Sequence, residues 1–336
     1  MDVPGEKLLI KLWDSIADKG IGSLLKPWQM RREGRTAIDM RREELLVLAQ
    51  AEVDAEAIRS GQKFLLPDGT VSEQQSAPVL LPSSPTQPLL LPSIDQVAQQ
   101  NARIEAIRRE ISLAKVVVFA EQELVHDTQE PPEEKVSDDW LHRWREHAAG
   151  VSSDELQSLW GKILAGEIKK PGRYSPRTLE FLKNLSQDEA KAIERLSPFV
   201  INDIIFRDDE TLLESQGVPF SLLFSMQELG VVSGVEALGL EVVWPSIAND
   251  HFERALVSYG RVLLVKHADP ARQLKLQIYQ VTSLGRQILR LGNFQPNETY
   301  LRALGTSIKS QGFDVAIGDC RPAGDNRITL LNMQPL

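Results

Sequence analysis

Apolar residues fall at helical spacing through the middle of this chain, and each run carries its own start and stop signals. Trp140, Trp144 and Ala148 lie at i, i+4 and i+8, which puts them on one helix face. Ser137 precedes this run, Asp138 and Asp139 fill its first turn and Gly150 follows it. Carboxylates suit the start of a helix and glycine suits its end. A second helix is predicted with Ser152 as N-cap and Glu155 completing a capping box. Leu156, Leu159, Trp160, Ile163 and Leu164 form its apolar stripe. After the Pro171-Gly172 turn, Ser175-Pro176 reads as N-cap and first residue of a third helix carrying Leu179 and Leu182. Ser186 and Glu189 make another capping box, opening a helix with Ala190, Ile193 and Leu196.

Upstream, Ile94, Val97, Asn101, Ile104, Ile107 or Arg108, Ile111, Ala114, Val118 and Val125 alternate steps of three and four. This predicts one long helix over 94–129 with a heptad-like seam, which either packs on the central helices or joins two copies. Residues 63–93 hold six prolines and three Leu-Leu-Pro repeats, the mark of an extended linker. Residues 1–62 read as an amphipathic arm. Leu8, Leu9, Leu12, Trp13 and Ile16 form a stripe, Trp28 follows, and a helix from about 29 to 60 begins with Arg31, Arg32 and Arg35.

Beyond 199 the pattern changes. Residues 212–230 read as one or two helices. An extended segment over 255–265, a loop over 267–273 and a strand over 274–281 read as a two-stranded wing, and Thr282 caps a helix over 283–291. A helix over 298–311 and strands near 313–317 and 327–331 form the tail. The expected fold class is mainly α. It has a helical body with a long helix over 94–198, a winged-helix-like α+β module over 199–295 and an α/β tail over 296–336.

The run from Gln157 to Glu167, followed by Pro171-Gly172-Arg173-Tyr174-Ser175 and Thr178-Leu179, resembles a bacterial domain-of-unknown-function family, number 2806 in that series. Asp139-Trp140, Asn101, Ile104 and Ile107 fit the same pattern, as do Leu229-Gly230-Val231, Thr282 and Gly285. The likeness spans roughly residues 95 to 300. It implies a fold and a loose association with mobile elements and phage defence, and it brings no activity and no catalytic residues.

Composition narrows the chemistry further. The 336 residues carry a net charge of −9, against the basic balance of most nucleic-acid binders. One cysteine, Cys320, excludes an internal disulfide framework. Together with the lack of a leader pattern or a long apolar run, this favours a cytoplasmic location, with peripheral attachment at the inner membrane as the alternative that the arm would provide.

No Walker loop, complete dinucleotide fingerprint or nucleophile elbow occurs. His126, His142, His147, His251 and His267 include no helical ligand pair. No catalytic, cofactor-binding or metal-ligating residue is therefore assigned, and an enzyme ranks last among the readings. The candidate contact residues are basic. Lys169, Lys170, Arg173 and Arg177 surround the Pro-Gly turn, and Arg261, Lys266, Arg272 and Lys275 belong to the wing region. From 208 to 253, where a recognition helix would lie, there are nine acids and no Lys or Arg, which opposes DNA reading by that helix. The expected function is a non-enzymatic interaction or scaffold subunit with a protein partner or a second copy, in a phage-defence setting. The alternatives are a nucleic-acid sensor using the basic turn and wing, and a membrane effector using Trp13, Trp28, Arg31, Arg32 and Arg35.

Overall fold

The computed structural model describes residues 5–17, 50, 53–54, 57–58, 60, 63–65, 71–73, 94–207, 210–236, 240–323 and 327–336. The predicted helix over 29–60, which begins with Arg31, Arg32 and Arg35, lies almost wholly outside them, and so does Trp28 before it. The chain divides into two compact units, Met1–Leu179 and Glu180–Leu336.

In the first unit, α1 (Glu6–Ala17) precedes a short hairpin of β1 (Lys63–Leu65) and β2 (Val71–Glu73), inside the segment read as linker. Then come α2 (Ile94–Leu124), α3 (Asp138–Ala148) and α4 (Asp154–Lys169). The predicted stripe of α1 is turned inward, with Leu8, Leu12, Trp13 and Ile16 all buried. Helix α2 is exposed over most of its first half, including Asn101, and buried from Ile111 to Ala114 and at Val116, Val117, Val118, Ala120 and Leu124. Its buried half packs on α4. At the crossing a Cβ on Gly161 would stand 2.6 Å from Phe119 Cβ and 2.9 Å from the Ala120 nitrogen, so the close approach requires glycine there. The tryptophans fill the core with their N–H groups satisfied. Trp144 Nε1 donates to Trp160 O at 3.0 Å and Trp140 Nε1 to Tyr174 O at 2.7 Å. The N-cap of α4 is Ser153, not Ser152; its hydroxyl accepts from Leu156 N. The one-residue shift places Asp154 and Glu155 in the first turn and leaves Leu156 exposed.

Helix α5 (Pro176–Asn184) spans the unit boundary, and α6 (Gln187–Leu196) opens the second unit with both bonds of the Ser186–Glu189 capping box in place. After it come β3 (Val200–Ile201), β4 (Ile204–Phe206), α7 (Glu210–Ser215) and α8 (Phe220–Glu228). Next are β5 (Val232–Ser233), β6 (Leu240–Trp244), β7 (Phe252–Ser258), β8 (Arg261–His267) and β9 (Leu274–Val281). Helices α9 (Ser283–Leu289) and α10 (Glu298–Ser310) and strands β10 (Asp314–Pro322) and β11 (Ile328–Pro335) complete it. One antiparallel sheet runs β3-β4-β9-β5, with β6 also on β9; the other runs β11-β10-β8-β7. The expectation of a mainly α chain is thereby overturned: the fold is mixed α+β, with two antiparallel sheets in its C-terminal half.

The expected wing pairing does not form either. Residues 255–265 are not one strand. Tyr259 and Gly260, with φ of 43° and 89°, turn the chain so that β7 and β8 pair with each other, as a tight hairpin with positive φ at both central residues does. Strand β9 pairs with β4, β5 and β6 instead. The tail strand β10 lies beside β8, within the same sheet. Tyr300 of α10 is fully buried and donates its hydroxyl to Phe206 O at 2.8 Å.

Candidate interaction surface

The basic turn after α4 is built around a buried carboxylate. Glu167 is 2% exposed; its Oε1 accepts from Gly172 N at 2.6 Å and its Oε2 from Tyr174 N at 3.0 Å. Burial pushes its carboxyl above the usual range, against the opposing pull of the backbone N–H groups of Tyr174, Gly172 and Arg173. The cations around it are partly engaged within the unit. Lys169 pairs with Asp127 at 2.7 Å, while the Arg173 guanidinium lies 5.7 Å from the Tyr174 ring centre and its Nε is buried. Lys170 and Arg177 are exposed.

The wing candidates are dispersed in the same way. Arg261 of β8 binds Glu298 at 2.9 Å and Asp319 at 2.6 Å. Lys266 pairs with Glu253 at 3.0 Å. Arg272 donates to Gln311 O at 2.7 Å and stands 5.8 Å from the Phe313 ring centre. Lys275 is exposed on β9, in the other sheet. Three of these four wing cations are thus engaged within their own unit. In the arm, Trp13 is 8% exposed and donates to Glu121 Oε1 at 2.5 Å.

Strand β6 has the opposite character. It pairs with β9 from Leu240↔Ile278 to Trp244↔Leu274, and no strand covers its other edge among the described residues. Leu240, Val243 and, just beyond the strand, Ile247 are 42%, 40% and 63% exposed. Trp244 is half-buried under the Arg254 guanidinium, 5.3 Å from its ring centre. The sequence around the strand, 208–253, carries the nine acids and no Lys or Arg. An open, apolar edge of this kind is ordinarily blunted by lysine, proline or a covering loop.

The edge of β7 shows such a cover. Asn202 donates its backbone N–H to Val257 O at 3.0 Å and its side-chain amide to Ala255 O at 3.0 Å, and its Oδ1 accepts from Val257 N at 2.8 Å. Ile247 N donates to Glu253 O further along. The β6 surface escapes sequence reading, although Leu240-Glu241-Val242-Val243-Trp244, between Gly239 and Pro245, is a strand-like run.

The chain matches the family described as Protein of unknown function (DUF2806) over residues 96–305, and it belongs to that family. No curated protein matches it, and no solved structure does. Several residues within the matched region have structural roles. Gly161 permits the α2–α4 crossing. Gly285 sits where a Cβ would meet Val231 O at 2.2 Å, with Thr282 capping α9 through Gly285 N and donating its hydroxyl to Gly230 O. Among the described residues no three His, Cys, Asp or Glu side chains are grouped to hold a metal, and no helix is long and apolar enough to cross a membrane.

Proposed function

We propose that this protein is a non-enzymatic interaction subunit that takes an extended segment of a partner protein along the open edge of β6. The observation that carries the reading is the uncovered strand with Leu240, Val243 and Ile247 exposed beside it. Main-chain hydrogen bonds of an added strand would supply affinity, and alternate apolar side chains would supply specificity. The stretch 208–253, with nine acids and no Lys or Arg, makes a basic, apolar segment the matching chemistry. A second copy would bring the same acids against each other, which disfavours self-pairing. The basic turn and wing give little support to a nucleic-acid sensor, because Lys169, Arg261 and Lys266 are already paired with carboxylates. Placement in phage defence rests on the sequence resemblance.

The test is purification of the tagged full chain from its host, beside a Leu240→Lys/Ile247→Lys double variant and a Thr306→Lys control. The wild type and the control are expected to retain a stoichiometric partner, and the double variant to lose it. A peptide from that partner should then bind the wild type at least about tenfold more tightly than the double variant. Equal retention by all three proteins would overturn the reading. So would light scattering showing only a homodimer that the double variant dissolves.

A further inference from the structure

A second feature of the C-terminal unit lies apart from the β6 edge. The β3–β4 turn, the β7–β8 turn and the last turn of α9 enclose an open cleft of about 630 Å³, within the range of small-ligand sites. Its polar lining residues are Asn202, Asp203, Ser258, Tyr259, Arg286 and Arg290, and Val257 and Leu289 are among its apolar walls. Arg286 and Arg290 are four residues apart, hence on the same side of the helix end.

The backbone of this rim is held in an uncommon shape. Asn202, Asp203 and Tyr259 have φ of 45°, 64° and 43°, and they are three of the four non-glycine residues with positive φ among those described. Such conformations persist only where surrounding bonds fix them. Here Asp203 O accepts from Val281 N at 3.0 Å and Gln280 Nε2 at 2.8 Å, while Asn202 is tied to β7. The side chains at the mouth are therefore presented from a fixed frame.

Their charge is unbalanced. Arg286 Nη1 lies 3.6 Å from Asp203 Oδ2, too far for a hydrogen bond, and both side chains are about half exposed. Arg290 is exposed and has no ion-pair partner among the described residues. One carboxylate thus faces two guanidiniums. Tyr259 adds a phenol, half-buried and T-stacked on Phe294 at 5.7 Å. Burial, with Asp203 nearby, pushes that phenol up to about 12, so it is a neutral donor and an aromatic edge.

We propose that this cleft binds a small organic phosphate of mononucleotide size, its phosphate held by Arg286 and Arg290 and a ligand hydroxyl donated to Asp203. Guanidinium forks match phosphate oxygens bidentately. A phosphate dianion suits two arginines, whereas a single carboxylate would be met by one. The apolar walls and the Tyr259 ring suit the ring of a sugar or base.

The test is calorimetric titration of the full chain with AMP, UMP and glucose 6-phosphate, beside adenosine and citrate. At least one of the three phosphates should saturate below about 10 mM, at least about tenfold more tightly than adenosine or citrate. Arg290→Ala, an exposed position whose loss leaves the fold intact, should weaken that phosphate at least about tenfold; Arg302→Ala on α10 should not. Melting temperatures establish that both variants are folded. The proposal is overturned if none of the phosphates binds, if adenosine or citrate binds as well as the phosphate, or if Arg290→Ala binds like the wild type. Since Leu240→Lys/Ile247→Lys should leave this binding unchanged, failure here is separate from failure at the β6 edge.

Discussion

The turn over 167–175 and the strand over 240–244 direct their side chains oppositely. In the turn, a carboxylate and an arginine side-chain nitrogen are buried, and a lysine is tied to Asp127. In the strand, aliphatic side chains are left in water along an uncovered edge. Burying a charge stabilises a fold only when hydrogen bonds compensate it, so the turn must be fully assembled to be tolerable. Exposing an apolar edge contributes nothing to folding and invites association. Changes in the turn should therefore be read in stability, and changes at the edge in binding.

The sharpest test of the first half of that contrast is Glu167→Ala. It leaves the buried N–H of Tyr174 and that of Gly172 without their acceptor. A cost of about 3 kcal/mol is expected, since bonds to a charged acceptor contribute ~1.5–3 kcal/mol and orphaned groups cost ~1–3 kcal/mol. In a thermal melt this is a fall of roughly 6–12 °C. Glu167→Gln, which keeps an acceptor, should lose less. The sign of the pH dependence also follows. The folded carboxyl titrates above its ordinary value, so its contribution is present below the usual carboxylate range and is lost as pH rises through the raised value. The Gln variant should lack that slope. A melt unchanged by Glu167→Ala would break the comparison.

Gly161→Ala should be next. The added Cβ meets Phe119 and the Ala120 backbone, and overpacking of this kind costs ~1–3 kcal/mol. The gain of ~1 kcal/mol from replacing glycine inside a helix offsets part of it. A net loss of about 0–2 kcal/mol in a denaturant titration is the expected outcome.

A smaller effect is expected at His251, between the two regimes. Its imidazole lies 3.4 Å from Glu253 and 2.7 Å from Asp250, and these carboxylates, Glu253 first, raise its pKa. The charged form is therefore favoured in the folded state. Its stabilisation is present below the ordinary imidazole range and disappears as pH rises through the raised value. Melts of wild type and His251→Gln, compared across that interval, should differ slightly at the acid end and converge at the alkaline end. Because the group is exposed, a large difference would mean that the loop is more tightly built than its surroundings indicate.

How much of this was legible follows from how local each signal is. Ser175-Pro176 and Ser186–Glu189 mark helix starts through bonds between residues three positions apart, so the sequence carries them directly, while Ser137 stands at the N-cap of α3 without a side-chain capping bond. Even there, the capping-box spacing to Glu155 picks out Ser152, one residue before the serine that caps α4. The sheets were not legible as paired, because Ile205↔Tyr279 and Val315↔Val265 join distant strands. Strands β3, β4 and β5, two or three residues long, show no alternation to read. Tyr259-Gly260 was the one local hairpin signal in the region misread as a single strand. The cations of the candidate sites were visible by type, but their pairing with Asp127, Glu298 and Asp319 is tertiary. Nothing in the sequence marks Glu167 as buried. The openness of the β6 edge belongs to the assembled sheet.

The last prediction concerns folding at that edge, where the expected effect is smallest. Leu240→Lys/Ile247→Lys should change stability by no more than about 1 kcal/mol, since both side chains are already exposed and surface substitutions usually fall within ~0.5 kcal/mol each. Position 243 is less suitable for lysine, because Val243 faces Lys275 across the ladder and like charges there would destabilise the strand. With Leu240 and Ile247 replaced, the strand keeps its bonds to β9, while the apolar anchors are gone and added positive charge faces a basic segment. Denaturant midpoint and partner retention, measured on the same preparation, should then separate: the first nearly unchanged, the second lost. If both fell together, the apolar edge would be part of the folding core. If neither moved, the exposure of Leu240 and Ile247 would be without consequence for association, and the contrast with the buried turn would describe solvation alone.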